Sequence, residues 1–437
     1  MTTAPVSSTL ELSTLKINAD RLNGTIHETA TFGAALRFGP GPTETGMARL
    51  ALDDNDALVR QYFVKEAKEL GCKVTVDQLG NIFAVRPGRR AGAPTAMGSH
   101  LDTQPTGGRY DGILGVLSGL EVLRTIHEAN LTTEFPIAVI DWTNEEGARF
   151  PKSVVSSGVW AGELELEEAW SLADINDPSK TMKSELARIG FLGETPCSYE
   201  AMPLGAHFEL HIEQGPILEQ SSKLVGVVLG AQAYRWYTVD VYGRDCHTGS
   251  TPFGARSDAM LCAAQCIVAS NKLAKEFGAL ASTGILTLEP GSTNVCPSHV
   301  RFSLDIRHPS TAELHRLCDA LQEEMTRIGS KECEIGCKVR TTLDRDSAAA
   351  VFHDDAIIAV RASAASATSA DKIEEMYSGA AHDSCPVSMR VPTAMIFVPS
   401  KDGVSHNPVE YTSPEECALG AQVLLHAVLN YDKMRTA

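Results

Sequence analysis

The chain has 437 residues, enough for two domains with room for a third and for a substantial core. Hydrophobic residues make up 43% and charged residues 21%, a balance that excludes disordered and collagenous classes. Lys and Arg number 38 against 55 Asp and Glu, a formal charge of −17, which argues against a nucleic-acid partner.

Residues 1–20 carry neither a basic n-region nor an apolar h-region and are expected to form a flexible tail rather than a signal peptide. No apolar run reaches the length of a membrane span, so no membrane partner is expected. The 11 cysteines are scattered and contain no Cys-x-x-Cys pair. Cys262/Cys266 and Cys333/Cys337 are four apart, but no His completes a zinc-finger spacing. An odd count without a secretory signal predicts reduced thiols and a cytoplasmic setting.

Residues 55–70 have a helical period, and Gly71 is placed to stop that helix. A β-hairpin follows around Gly80 and Asn81. PTAMGS reads as a short buried strand, DGILGVLSGLEVLRTIHEAN as a long amphipathic helix and PIAVIDW as a continuous apolar strand. Strands separated by helices predict a mixed α/β fold, with a largely parallel sheet under helical cover. Residues 160–205 read as helical and acidic. In the strand AHFELHI, Phe208, Leu210 and Ile212 take one face and His207, Glu209 and His211 the other.

A second module begins near Tyr234. Its strands and helices run in the order βαββαβ, the ferredoxin-like arrangement. In VRFSLDIRH, Val300, Phe302, Leu304, Ile306 and His308 share one face, opposite Arg301, Ser303, Asp305 and Arg307. The module, residues 233–347, is expected to be inserted into a first domain made of residues 21–232 and 348–437. A helix over 354–370, the strand PTAMIFVPS and a helix over 415–430 complete that domain.

Ligand-binding groups in open α/β sheets gather at the carboxyl ends of strands. His100 and Asp102 follow PTAMGS directly, and Asp111 stands at the start of the long helix. PIAVIDW runs into the adjacent carboxylates Glu145 and Glu146, which repel unless protons or cations intervene. His211 ends AHFELHI, and His406 follows PTAMIFVPS. Each residue alone has an ordinary structural explanation. Five candidates in one kind of location, His100, Asp111, Glu146, His211 and His406, supply one bridging carboxylate and two more ligands for each of two divalent metals. Asp102 is expected to orient the His100 imidazole, and of the two adjacent glutamates one can ligate a metal while the other takes a proton from bound water. Such ligands suit zinc first, with manganese, cobalt or nickel as alternatives.

The segments GSHLDTQPTGGRYDGILGV, NEEGARF, HFELHIEQGPILE, TNVCPSHVRFSLDIRHPS, SGAAHDSC and PSKDGVSHNPVEYTSPEE occur in this order. Together they resemble the dinuclear-metal amidohydrolases related to aminoacylase and glutamate carboxypeptidase. Within these the chain is similar to the N-carbamoyl amino acid amidohydrolases, which include fungal β-alanine synthase and allantoate amidohydrolase. SGAAHDSC to YTSPEE resembles the fungal β-alanine synthases most.

The resemblance implies that Asp111 bridges two metals, with His100 and His211 on the same ligand set and Glu146 and His406 on the other metal. It implies Glu145 as general base and Arg307 as the grip on a substrate carboxylate, through charge-assisted paired bonds. Gln214, His247, Asn294 and His382 match the substrate-contacting set, with His247 or His382 as oxyanion donor. The inserted module would act as lid and homodimer interface. The implied reaction is hydrolysis of an N-carbamoyl amino acid, first N-carbamoyl-β-alanine, giving β-alanine, ammonia and carbon dioxide in pyrimidine degradation. N-carbamoyl-L-α-amino acids, allantoate and a catalytically inactive binding protein are the alternatives. Asp245, Cys246 and Ala381 depart from the family pattern beside His247 and His382.

Overall fold

The computed structural model describes residues 14–331 and 333–435. Most of the expected tail lies outside the described residues, and from Leu15 the chain is anchored. Gln422 Nε2 donates to the Leu15 carbonyl at 3.0 Å, and the Ile17 N–H donates to Gln422 Oε1 at 3.2 Å. Asn18 then caps the helix Ala19–Thr29 by accepting from the Arg21 N–H.

The described chain forms two compact units. One runs up to Gly230 and resumes at Val351, and the other spans Ala231–Ala350.

The first unit is built on a nine-stranded mixed sheet. Four parallel neighbours form its centre, in the order Thr393–Val398, Ala206–Ile212, Thr95–His100 and Ile137–Trp142. All four strands are buried along their whole length, so Ile137–Trp142 and Thr393–Val398 read as near-continuous apolar runs, while the alternating polar residues of Ala206–Ile212 are buried too. The hairpin Lys73–Val76 and Ile82–Arg86 flanks one side, antiparallel. On the other side the sequence reading lacks three strands, Val225–Ala231, Ala350–Val351 and Ile373–Ser378.

Helices cover both faces of the sheet. Phe208 packs its ring 5.4 Å from that of Tyr431 on the helix Pro414–Met434. One residue on, Glu209 points the other way and accepts from Ser384 N and Oγ, at 3.1 and 2.7 Å, at the head of the helix Ser384–Val387. Pro414–Met434 starts cleanly because Ser413 and Glu416 form a reciprocal capping box with Pro414 in the first turn. Such a cap contributes about 1 kcal/mol.

The second unit has the βαββαβ order, with its second strand broken into Leu280–Ser282 and Leu286–Glu289. Both pieces pair with His299–His308, which pairs with Ala233–Tyr242, which pairs with Lys338–Ser347, all antiparallel. Val300, Phe302, Leu304 and Ile306 are buried in one core with residues of the helices Ala259–Glu276 and Thr311–Lys331. Arg301 on the opposite face is exposed. Among the described residues, no helix is long and apolar enough to cross a membrane.

Candidate metal centre

The carboxyl ends of the four parallel strands converge on Asp111. His100 is the last residue of its strand, and His211 the last but one of its own. Glu145 and Glu146 lie in the turn after Ile137–Trp142, and His406 in the loop after Thr393–Val398. The backbone is strained here. Asn144, Gln214 and His406 take φ values of 57°, 59° and 54°, a left-handed region that non-glycine residues adopt at a cost and that clusters at functional sites.

Asp111 divides its carboxylate between two sets of ligands. Oδ1 lies 3.1 Å from His211 Nε2 and 3.6 Å from His100 Nε2. Oδ2 lies 3.3 Å from His406 Nε2, which is itself 3.4 Å from Glu146 Oε2. The groups His100–Asp111–His211 and Asp111–Glu146–His406 therefore share Asp111, and in each the ligand atoms lie within 4.8 Å of one another. His100 Nε2 is buried, has no hydrogen-bond partner among the described residues, and stands 3.6 Å from both Asp111 Oδ1 and Glu145 Oε2. An orphaned imidazole nitrogen among carboxylates is a donor set that fits divalent cations.

Carbonyl oxygens fix the rings. His100 Nδ1 lies 2.9 Å from the Asp102 carbonyl and His211 Nδ1 2.8 Å from that of Ile212. A carbonyl only accepts, so each ring donates from Nδ1 and turns Nε2 toward Asp111. This corrects the expected role of Asp102. Its carboxylate stands 3.9 Å from His100 Nδ1 and instead accepts from the backbone N–H groups of Glu145 and Glu146, at 3.2 and 3.3 Å. Asp102 thus sets the turn that carries both glutamates, while its carbonyl orients the imidazole.

The charges are crowded. Burial and the neighbouring Asp383 and Glu146 charges hold Glu145 well above the usual carboxylate range. Burial and Asp111 do the same to Glu146. Burial raises Asp102 to about 7, helped by Asp56, and lowers His100 to about 4. Burial pulls His211 down, but its bond to Asp111 outweighs this and raises it to about 9. A proton and a divalent cation compete for that nitrogen.

Three residues that the sequence reading lacks complete the support. Gln104 Nε2 donates to Glu146 Oε2 at 2.7 Å. Glu410 Oε1 accepts from the N–H groups of Tyr110 and Asp111, both at 3.1 Å. Ser405 Oγ lies 3.0 Å from Asp111 Oδ2 and 3.1 Å from Glu410 Oε2. Glu410 sits in the quoted segment HNPVEYTSPEE, but nothing local marks it off from Glu415 or Glu416.

Of the expected substrate contacts, Gln214 and His382 stand at this centre. Gln214 Nε2 donates to Asp111 Oδ2 at 2.7 Å. His382 is fully buried, its ring 4.4 Å from that of His211 and its Nε2 2.9 Å from Ser378 Oγ. Burial keeps it neutral, well below the ordinary histidine value.

The other three belong to the second unit. His247 pairs across a short ladder with Val295, and the Thr248 N–H donates to the Asn294 carbonyl at 2.9 Å. His247 Nδ1 accepts from the Gly249 and Ser250 N–H groups, at 3.1 and 3.2 Å, so the neutral ring presents Nε2–H outward as a donor. Arg307 pairs with Asp305, with Nη2 to Oδ2 at 2.8 Å, and lies over the Tyr234 ring. It stands eight residues along the strand from His299, roughly 26 Å at the usual strand rise. The His247–Val295 ladder, next to Asn294, joins the His299 end, where the Gly243 N–H donates to the Ser298 carbonyl.

A buried carboxylate shared by two ligand groups, at the carboxyl edge of a parallel sheet, defines a metallohydrolase class of site. Residues 96–430 match peptidase family M20/M25/M40. The chain belongs to this family, and it is a hydrolase. It is 40% identical over 420 residues to an N-carbamoyl-L-amino-acid amidohydrolase of Rhizobium meliloti, covering 95% of this chain and 96% of that one. It is 31% identical to ureidoglycolate hydrolase of Arabidopsis thaliana, covering 94% and 86% of the two chains. A crystal structure of an amidase of the hydantoinase/carbamoylase family from Burkholderia multivorans superposes with a TM-score of 0.89 at 43% identity, covering 95% and 98%.

Proposed function

We propose that the protein hydrolyses the carbamoyl C–N bond of an N-carbamoyl amino acid, releasing the amino acid, ammonia and carbon dioxide. The observation that carries the reading is Asp111, shared between the groups His100–Asp111–His211 and Asp111–Glu146–His406, with Glu145 Oε2 3.6 Å from His100. Two divalent cations, zinc first, would be held by these five residues and would acidify a water and polarise the carbamoyl oxygen when bound. Glu145 receives the proton of the attacking water on its carboxylate and returns it to the leaving nitrogen. Asp102 holds the Glu145 backbone in place for this, and Gln104 steadies Glu146. His382 or His247 supplies an imidazole N–H to the developing oxyanion. Arg307 takes the substrate carboxylate and exchanges its Asp305 partner for it.

Relatives named for N-carbamoyl-L-amino acids support an L-α-amino acid as the product. N-carbamoyl-β-alanine is the second reading, resting on the segments SGAAHDSC and YTSPEE. The separation of Arg307 from the His247–Val295 ladder within one unit supports a homodimer in which two copies contribute to one site. Leu280, Ile285, Leu286 and Leu288, all exposed at one sheet edge, support the second unit as its interface.

Ammonia release from N-carbamoyl-L-alanine, N-carbamoyl-β-alanine and allantoate tests the substrate. The account expects the highest kcat/KM for the first. A preference for the second would restore β-alanine synthase, and no release from any, with metal bound, would overturn the carbamoyl reading.

A further inference from the structure

The proposed function leaves unused the two Cys-x-x-x-Cys pairs of the second unit. Cys262 and Cys266 lie one turn apart on the helix Ala259–Glu276 and are both fully buried. Cys333 lies just beyond the helix Thr311–Lys331, and Cys337 just before the strand Lys338–Ser347. The turn between them is held closed. The Gly336 N–H donates to the Cys333 carbonyl at 2.8 Å, the Cys337 N–H to Gly329 at 2.7 Å and the Ile335 N–H to Arg256 at 3.1 Å. This brings the second pair onto the first, and the sulfurs of Cys262, Cys333 and Cys337 lie within 4.8 Å of one another.

Buried cysteines commonly serve as small apolar fillers. Filling does not require three sulfurs from two distant segments to meet at one point. Three or four thiolates at one point form the ligand set of soft d10 cations, with metal–sulfur distances of about 2.3 Å. The neighbouring sulfurs, with burial, keep Cys262 and Cys337 protonated when no cation is bound.

We propose that Cys262, Cys333 and Cys337 form a binding site for a thiophilic cation, Zn2+ or Cu+, distinct from the His/carboxylate centre. Each coordinating thiol releases its proton to solvent, and no electron is transferred. The bound cation fastens the turn after Thr311–Lys331 to the helix Ala259–Glu276.

The test uses the full-length reduced protein loaded with Co2+ in place of Zn2+. Thiolate-to-cobalt charge transfer absorbs in the near ultraviolet, and a His/carboxylate centre gives no such band. The expected result is a thiolate band whose amplitude corresponds to one Co2+ per chain, beyond the cations taken by the His/carboxylate centre. It should disappear in Cys337→Ser, while a Cys72→Ala control keeps it and both variants keep their ammonia release. X-ray absorption of the wild-type Zn2+ form needs no variant, and should show sulfur scattering at about 2.3 Å. Retention of Cu+ against a competing chelator, lost in Cys337→Ser, would support the copper form. No thiolate band, no Zn–S scattering and no Cu+ retention would overturn the proposal and leave the cluster as core packing.

Discussion

Gly112 stands against the ring of His100. A Cβ built at position 112 would lie 2.2 Å from His100 Cε1 and Nε2, far inside van der Waals contact. The residue also takes φ 68°, which a side chain would strain. A glycine is therefore required directly after Asp111, so that the carboxylate and the imidazole can share one site.

Gly112→Ala should push the His100 ring off Asp111. The expected effect is a metal affinity about 10–100-fold lower, with a stability loss of about 1–3 kcal/mol. Metal titration and thermal unfolding measure the two separately. Wild-type metal affinity in a folded variant would refute the packing argument.

Removing the shared carboxylate should cost more. Chelation should abolish ammonia release in the wild type, and added Zn2+ should restore it. Asp111→Asn should not recover under the same reconstitution, with kcat/KM lower by roughly 10³-fold, about 4 kcal/mol of transition-state stabilisation. Recovery to the wild-type rate would rule out Asp111 as the bridge.

Glu410 acts through Asp111 and is a positioning residue. Glu410→Ala leaves the Tyr110 and Asp111 N–H groups without their acceptor, so metal affinity should fall about 10–100-fold. Glu410→Gln keeps an acceptor oxygen and should recover most of it. A purely structural role would show equal melting-point losses in both variants, with metal affinity unchanged.

A second acid test lies in the Ala231–Ala350 unit. Asp240 accepts from Arg301 Nε at 2.8 Å and from His299 Nε2 at 2.7 Å. The Arg301 bond, with that of His299, holds its carboxyl below the ordinary value. A depressed folded pKa contributes stability above the unfolded value of about 3.9, and the contribution is lost as pH falls through the folded value. Asp240→Asn should therefore lower the melting temperature at pH 7 only slightly, given the exposed Arg301, and flatten the decline below pH ~4. An unchanged acid limb would show that the pair is not linked to folding.

How much of this was legible follows from where each signal sits. His100 and His211 lie at the ends of their strands, and Glu145, Glu146 and His406 follow theirs, so local pattern exposes them. That the four strands are parallel neighbours is a long-range fact, and only the repeated location hints at it. Glu410 and Asp111 are 299 residues apart, and no local spacing reports a bond between them. The role of Asp102 went to its backbone because the carboxylate is spent on the Glu145–Glu146 turn. Leu280–Ser282 escaped because it is an edge strand with Leu280 exposed, so it shows no buried alternation. Val300 to Ile306 read correctly because one face of that strand alone is buried.

The central claim is that Glu145 moves the proton in a reaction carried out at the Asp111 centre. Glu145→Gln, assayed for turnover and for cation content side by side, tests it most directly. The account predicts wild-type cation content with turnover down by about 10²–10⁴-fold. Turnover equal to wild type would contradict it, and the assignment of the base would have to move elsewhere.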